Sequence, residues 1–152
     1  MEHKIRMKIY LKTIVDGDYK TVAARFDLQL FEYLVPPFTK VKIETFTGSK
    51  KGDKVHVRFL FPLKADWKSD IVEDGANEQE IYFVDEGIVL PPGLKYWRHK
   101  HVVQNHSDDT SVIIDDIDFK GLNSVLTVLL YLPLWITFRM RKPLYKRFFK
   151  KK

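Results

Sequence analysis

GLNSVLTVLLYLPLWITFRMRKPLYKRFFKKK closes the chain as residues 121–152 and reads as a long C-terminal helix. Its apolar run, Val125 to Phe138, is interrupted only by Thr127, Pro133 and Thr137. Eight bases and no acid follow: Arg139, Arg141, Lys142, Lys146, Arg147, Lys150, Lys151 and Lys152. The preceding residues read as two short helices and a set of strands with one apolar side each. A sheet that is greasy on one face needs a covering layer. This helix is the only long cover the chain offers.

Upstream, the strands announce themselves by alternation. Ile5, Met7, Ile9 and Leu11 alternate against Arg6, Lys8, Tyr10 and Lys12, the period-two pattern of a strand with one wet face. Asp16-Gly17-Asp18 ends it and supplies a helix cap. Tyr19, Val22, Ala23 and Phe26 then recur at helical spacing, and Leu28 to Val35 follows Asp27 as a second short helix. Pro36-Pro37 stops that helix, because proline removes an amide donor and disfavours helical backbone before it. Further strands are expected at Lys40–Thr47, Lys54–Phe61, Trp67–Glu73, Glu78–Glu86, Leu94–Asn105 and Thr110–Phe119, divided by Gly- and Asp-rich turns. Consecutive strands with short connections pair antiparallel. The order β-α-α-β6-α describes an α+β helix-grip fold, a seven-stranded curved antiparallel sheet around a C-terminal helix, in one domain spanning 1–152. Such a grip leaves room for a ligand between sheet and helix.

Composition narrows the function classes. With 45% hydrophobic and 30% charged residues, a soluble globular chain is expected rather than a disordered one. Aromatic residues reach 14%, a surplus that suits either a packed core or an apolar cavity. The net charge of +6 is confined to the basic tail, 139–152, since residues 1 to 138 hold 18 bases against 20 acids. Nucleic-acid binding, which places its bases on the folded docking face, is therefore not expected. There is no cysteine, hence no disulfide framework and no thiolate metal site. MEHKIRMKIYLK lacks the apolar run of a signal peptide, and a cytoplasmic protein is expected.

FDLQLFEYLVPPF (26–38), FTGSKKGDKV (46–55), YFVDEGIVLPPGLKYWRHKHVV (82–103) and DDTSVIIDDIDF (108–119) together resemble the START-like, or SRPBCC, superfamily of polyketide cyclases, lipid-transfer and Bet v 1-like proteins. Within it the chain is similar to the bacterial ligand-binding branch. The marks are Trp97, His99 and His101 on the sixth strand, with Thr110 and Asp115 on the seventh. The resemblance implies binding or carriage of a hydrophobic small molecule. Relatives run an uninterrupted C-terminal helix, whereas Pro133 and Pro143 here imply a helix either kinked or in pieces.

On the sixth strand Trp97, His99, His101 and Val103 share one face, while Arg98 and Lys100 share the other. Two long cations belong in water, so the imidazoles turn into the grip. Each is either a satisfied half-buried core group or a partner for a ligand's polar end. No third ligand is identifiable, so no metal is expected, and no cofactor. Asp115 lies on the inward side of the seventh strand with Ile113 and Phe119. A buried carboxylate is costly unless paired, which predicts a cross-strand pair with His99 or His101. The expected cavity residues are Trp67, Phe83, Trp97, His99, His101, Asp115 and Leu129, with Phe26, Phe31, Tyr33 and Phe38 at the mouth. Any of these rings also serves as plain core. Without a nucleophile or cofactor motif, a carrier is the leading reading. The alternative is a cyclase- or dehydratase-like enzyme using His99, His101 and Asp115 as acid-base groups.

Arg139, Lys142, Lys146 and Lys150 recur at helical spacing. They form either a solvated end favoured by the helix dipole or a contact for an anionic membrane surface, with Phe148 and Phe149 as a wedge. The apolar run covers 14 residues, about 21 Å of helix, against a hydrocarbon layer of roughly 30 Å. Being apolar nearly all round, it needs cover beyond the sheet. Loops or a second copy of the chain, as in a homodimer, are preferred over a lipid surface.

Overall fold

The computed structural model describes residues 5–152; the first four residues of the N-terminal stretch read above lie outside them. β1 (Met7–Asp16) leads into α1 (Tyr19–Ala24) and α2 (Leu28–Tyr33). Six strands follow: β2 (Lys40–Phe46), β3 (Lys54–Phe61), β4 (Ala65–Ala76), β5 (Glu80–Val89), β6 (Leu94–Ser107) and β7 (Thr110–Gly121). The chain closes with α3 (Ser124–Arg139) and α4 (Arg141–Phe148). All strands join one seven-stranded sheet in the order β1-β7-β6-β5-β4-β3-β2, and every neighbouring pair is antiparallel.

The local chemistry explains the breaks. Asp18 accepts from the amides of Lys20 and Thr21, Asp27 from Leu30 and Asn123 from Leu126, so each of these helices starts where a side-chain oxygen satisfies an orphan amide. Register shifts interrupt the β2–β3, β4–β5 and β6–β7 pairings. An extra residue on one strand sharpens twist and bends it, and the sheet curls into a half-barrel.

The inward face carries two buried clusters. Ile9, Leu11, Trp97, Ile117 and Phe119 pack against Phe138 of α3. Val15, Val22, Leu30, Leu34, Val103 and Ile113 pack against Tyr145 of α4. β7 is tied to α3 at Gly121, whose amide donates to Thr127 Oγ1 at 2.9 Å. A Cβ at Gly121 would lie 2.8 Å from the Thr127 backbone nitrogen, so only glycine permits that approach.

The C-terminal segment is in two pieces rather than one long helix. Pro133 sits inside α3 on its exposed side. The break falls at Met140, and Pro143 lies in the first turn of α4. Proline costs least there, since first-turn amides have no helical partner.

Candidate functional site

Between the concave sheet face and α3–α4 lies a cavity of about 420 Å³. Its wall is mainly apolar: Phe26, Leu30, Phe31, Phe59, Trp67, Phe83, Trp97, Leu130, Leu134 and Phe138 all border it. Phe38, Pro62, Leu63, Pro91 and Pro92 come from loops around it. Trp67 meets Trp97 edge to face at 4.8 Å.

Among the polar side chains that interrupt this wall, Asp85, His99, His101, Arg141 and Tyr145 lie close to one another. Alternation places them. Phe83 and Asp85 share a face of β5, Trp97, His99 and His101 a face of β6, and Asp115 the inward face of β7. His101 stands opposite Asp115 and Asp85 opposite His99 in the ladders, yet the side-chain bonds run diagonally. His99 Nε2 meets Asp115 Oδ1 at 2.9 Å, and His101 Nε2 meets Asp85 Oδ2 at 2.6 Å. An ionised carboxylate only accepts, so Nε2–H is the donor in each pair. Tyr145 adds a longer contact to Asp115 Oδ1, 3.4 Å.

Burial and the adjacent His99 lower the His101 pKa to about 4, against the pull of Asp85. The imidazole is therefore neutral at pH 7. Burial works to raise the Asp85 and Asp115 carboxyls. The histidine hydrogen bonds, helped by nearby Arg141, outweigh it and hold both below the ordinary carboxylate value. Burial, with Asp115 beside it, raises Tyr145 and keeps the phenol protonated. Arg141 stacks its guanidinium 4.4 Å from the Phe138 ring, and its buried Nε has no hydrogen-bond partner.

Of the residues expected at the cavity, Trp67, Phe83, Trp97, His99 and His101 border it. Asp115 does not: it sits behind His99 as its buried partner, because β7 lies one strand further from the opening. Leu129 is corrected outright. It points away from the sheet and is 64% exposed, while Leu130 and Leu134 take the inward positions. Tyr33 lies outside the mouth against Phe148, 5.3 Å between ring centres. Asp85, Arg141 and Tyr145 were not anticipated. Asp85 was legible from Phe83 two residues before it; Arg141 was hidden by counting it with the tail.

Asp85 is also the third metal-type ligand that the sequence did not reveal, its oxygen and the two imidazoles lying within 4.8 Å of one another. Their arrangement does not suit one ion. The His99 and His101 rings stack at 3.6 Å and 29°, so their in-plane lone pairs run side by side instead of converging.

The tail folds back on the body. Lys142 Nζ donates to the Lys12 carbonyl at 2.6 Å, and the Lys151 amide to Asp16. Phe148 and Phe149 are partly buried against the cluster that holds Val22, Leu30 and Tyr145. Arg139, Lys146 and Lys150 remain exposed.

Solved structures with this architecture include norcoclaurine synthase from Thalictrum flavum, at TM-score 0.68 and 16% identity over 97% of this chain and 96% of that one. Another structure of that synthase contains dopamine and hydroxybenzaldehyde. The Zhui aromatase/cyclase from Streptomyces sp. R1128 matches at TM-score 0.61 and 13% identity, over 79% and 71% of the two chains. A START superfamily protein from Mycobacterium smegmatis matches at TM-score 0.59 and 8% identity, over 90% and 97%. The chain has the START-like fold. No family model matches it, and no curated protein does by sequence. At these identities the START-like neighbours establish architecture, and the site must be argued from its own residues.

Proposed function

We propose that the protein binds or carries an apolar, ring-bearing small molecule in the START-like cavity. The observation that carries this reading is a cluster of polar side chains, Asp85, His99, His101, Arg141 and Tyr145, on the wall of a mainly apolar cavity of about 420 Å³. Apolar burial supplies most of the affinity, at about 25 cal/mol per Å² removed from water. Aromatic walls favour a flat body, which stacks or meets ring edges. The ligand's polar end is met by Arg141, which borders the cavity and whose buried Nε has no hydrogen-bond partner within the protein. Small-molecule binding in this architecture is supported by the synthase complex with dopamine and hydroxybenzaldehyde.

Native mass spectrometry of the protein purified from its own host tests this. A retained small molecule that leaves on Ala65→Phe, a change that places a ring in the cavity, is the expected result. A chain mass without adduct, together with no uptake of a hydrophobic fluorescent probe, refutes carriage.

One observation favours an enzyme as the second reading. His101 borders the cavity and is oriented by Asp85 at 2.6 Å, which places an imidazole within reach of a bound molecule's protons. A ligand recovered chemically altered from the native protein, but unaltered from His101→Gln, would replace carriage by catalysis.

A further inference from the structure

The outward face of α3 is apolar and uncovered. Val125, Val128, Leu129, Leu132 and Ile136 are 68%, 55%, 64%, 59% and 44% exposed, and they recur at helical spacing down one side. No charged residue occurs between Lys120 and Arg139. Isolated exposed leucines are ordinary, but a continuous aliphatic stripe on a monomer marks a docking surface. The stripe ends in bases: Ile136 shares a shallow groove with Arg139 and Lys142 at the α3–α4 junction.

Two occupants compete, and charge separates them. From residue 139 onward there are eight bases and no acid, so the tail offers no countercharge to the same tail on a second copy. An anionic lipid surface answers both halves, with acyl chains for the aliphatic stripe and phosphates for the bases. By length and composition the helical run Ser124–Phe148 is apolar enough to cross a membrane. Its inner side, however, roofs the core through Phe138 and Tyr145, 6% and 0% exposed. Crossing would uncover both clusters, whereas lying flat costs the core nothing.

We infer that α3 docks the protein on an anionic lipid surface, with Val125, Leu129 and Leu132 at the acyl boundary and the exposed bases Arg139 and Lys146 at the phosphates. The tail phenylalanines take no part, since they are held in the protein. Leu130 and Leu134 of the same helix border the cavity, so a docked protein keeps its bound molecule one helix away from lipid.

The test is co-sedimentation of the full chain with phosphatidylcholine vesicles and with vesicles of phosphatidylcholine and phosphatidylglycerol at about two to one. Binding is expected to the second and to fall in high salt. The variant Leu129→Gln/Leu132→Gln, altered only at exposed positions, keeps the wild-type melting curve and binds at least roughly tenfold more weakly. Arg139→Gln/Lys146→Gln, altered at exposed positions, loses the preference for phosphatidylglycerol. Absence of binding to both vesicles overturns the inference, as does binding unchanged by Leu129→Gln/Leu132→Gln. A wild-type dimer in sedimentation equilibrium that becomes monomeric in that variant assigns the stripe to a second copy and also overturns it.

Discussion

His99 and His101 stack face to face at 3.6 Å while their Nε2 atoms turn to carboxylates on opposite neighbouring strands, Asp115 on β7 and Asp85 on β5. Two inward side chains two residues apart on a strand must lie side by side, so the rings share one space and the carboxylates divide their donors. His99 is sealed at 3% exposure. His101 is left on the cavity wall. The His99–Asp115 pair is the more deeply buried of the two.

Asp115→Ala should be among the most damaging single changes in the chain. It leaves the His99 donor buried without its acceptor, and breaking a buried pair costs about 3–5 kcal/mol. Asp115→Asn keeps an acceptor and should cost less, about 1–3 kcal/mol. Urea unfolding checks both. An Asp115→Ala protein as stable as wild type would show the pair to be dispensable.

Acid should destabilise the fold in two stages. The His101 pKa is about 4 when folded against 6.5 for an ordinary histidine, so as pH falls the unfolded chain takes up this proton first. The stabilising contribution is complete above about pH 6.5 and is lost progressively down to about pH 4, on the order of 3 kcal/mol. Asp85 and Asp115, held below their ordinary value of 3.8, add a further loss only below that value. Denaturant melts across pH should show the upper stage shrink in His101→Gln.

Gly121→Ala should strain the β7–α3 joint. The added methyl meets backbone of Thr127 and Leu126 at 2.8 and 3.0 Å, and such overpacking costs about 1–3 kcal/mol. Thr127→Val tests the same joint without strain. It removes the acceptor of the Gly121 amide, a loss of about 1–3 kcal/mol for a buried unpaired donor. Thermal melts of the two variants and their combination should show a cost that is less than additive.

Ala65→Phe should separate binding from folding. Ala65 borders the cavity and faces Phe59 across the β3–β4 ladder, so the new ring occupies ligand space. Affinity for a hydrophobic fluorescent probe should fall at least about tenfold, the loss of roughly 1.4 kcal/mol, with little change in melting temperature. Unchanged probe affinity would place the probe outside this cavity.

Strand alternation, turn residues and helix spacing were enough to set the element order and inward faces, because period and capping are local properties of neighbouring residues. Phe83, His99 and His101 could be turned inward from the chain alone by this means, and Asp85 was open to the same reading. Leu129 shows where that reasoning stops. The apolar run of α3 has greasy residues on every side, so periodicity could not say which side meets the sheet, and the choice fell to Leu130, Leu134 and Phe138. Arg141 and Tyr145 joined the site only because the helix breaks at Met140 and α4 packs back over Val103 and Ile113. Which histidine took which aspartate likewise depended on sheet register and stacking between strands distant in sequence, and no local pattern carries that information.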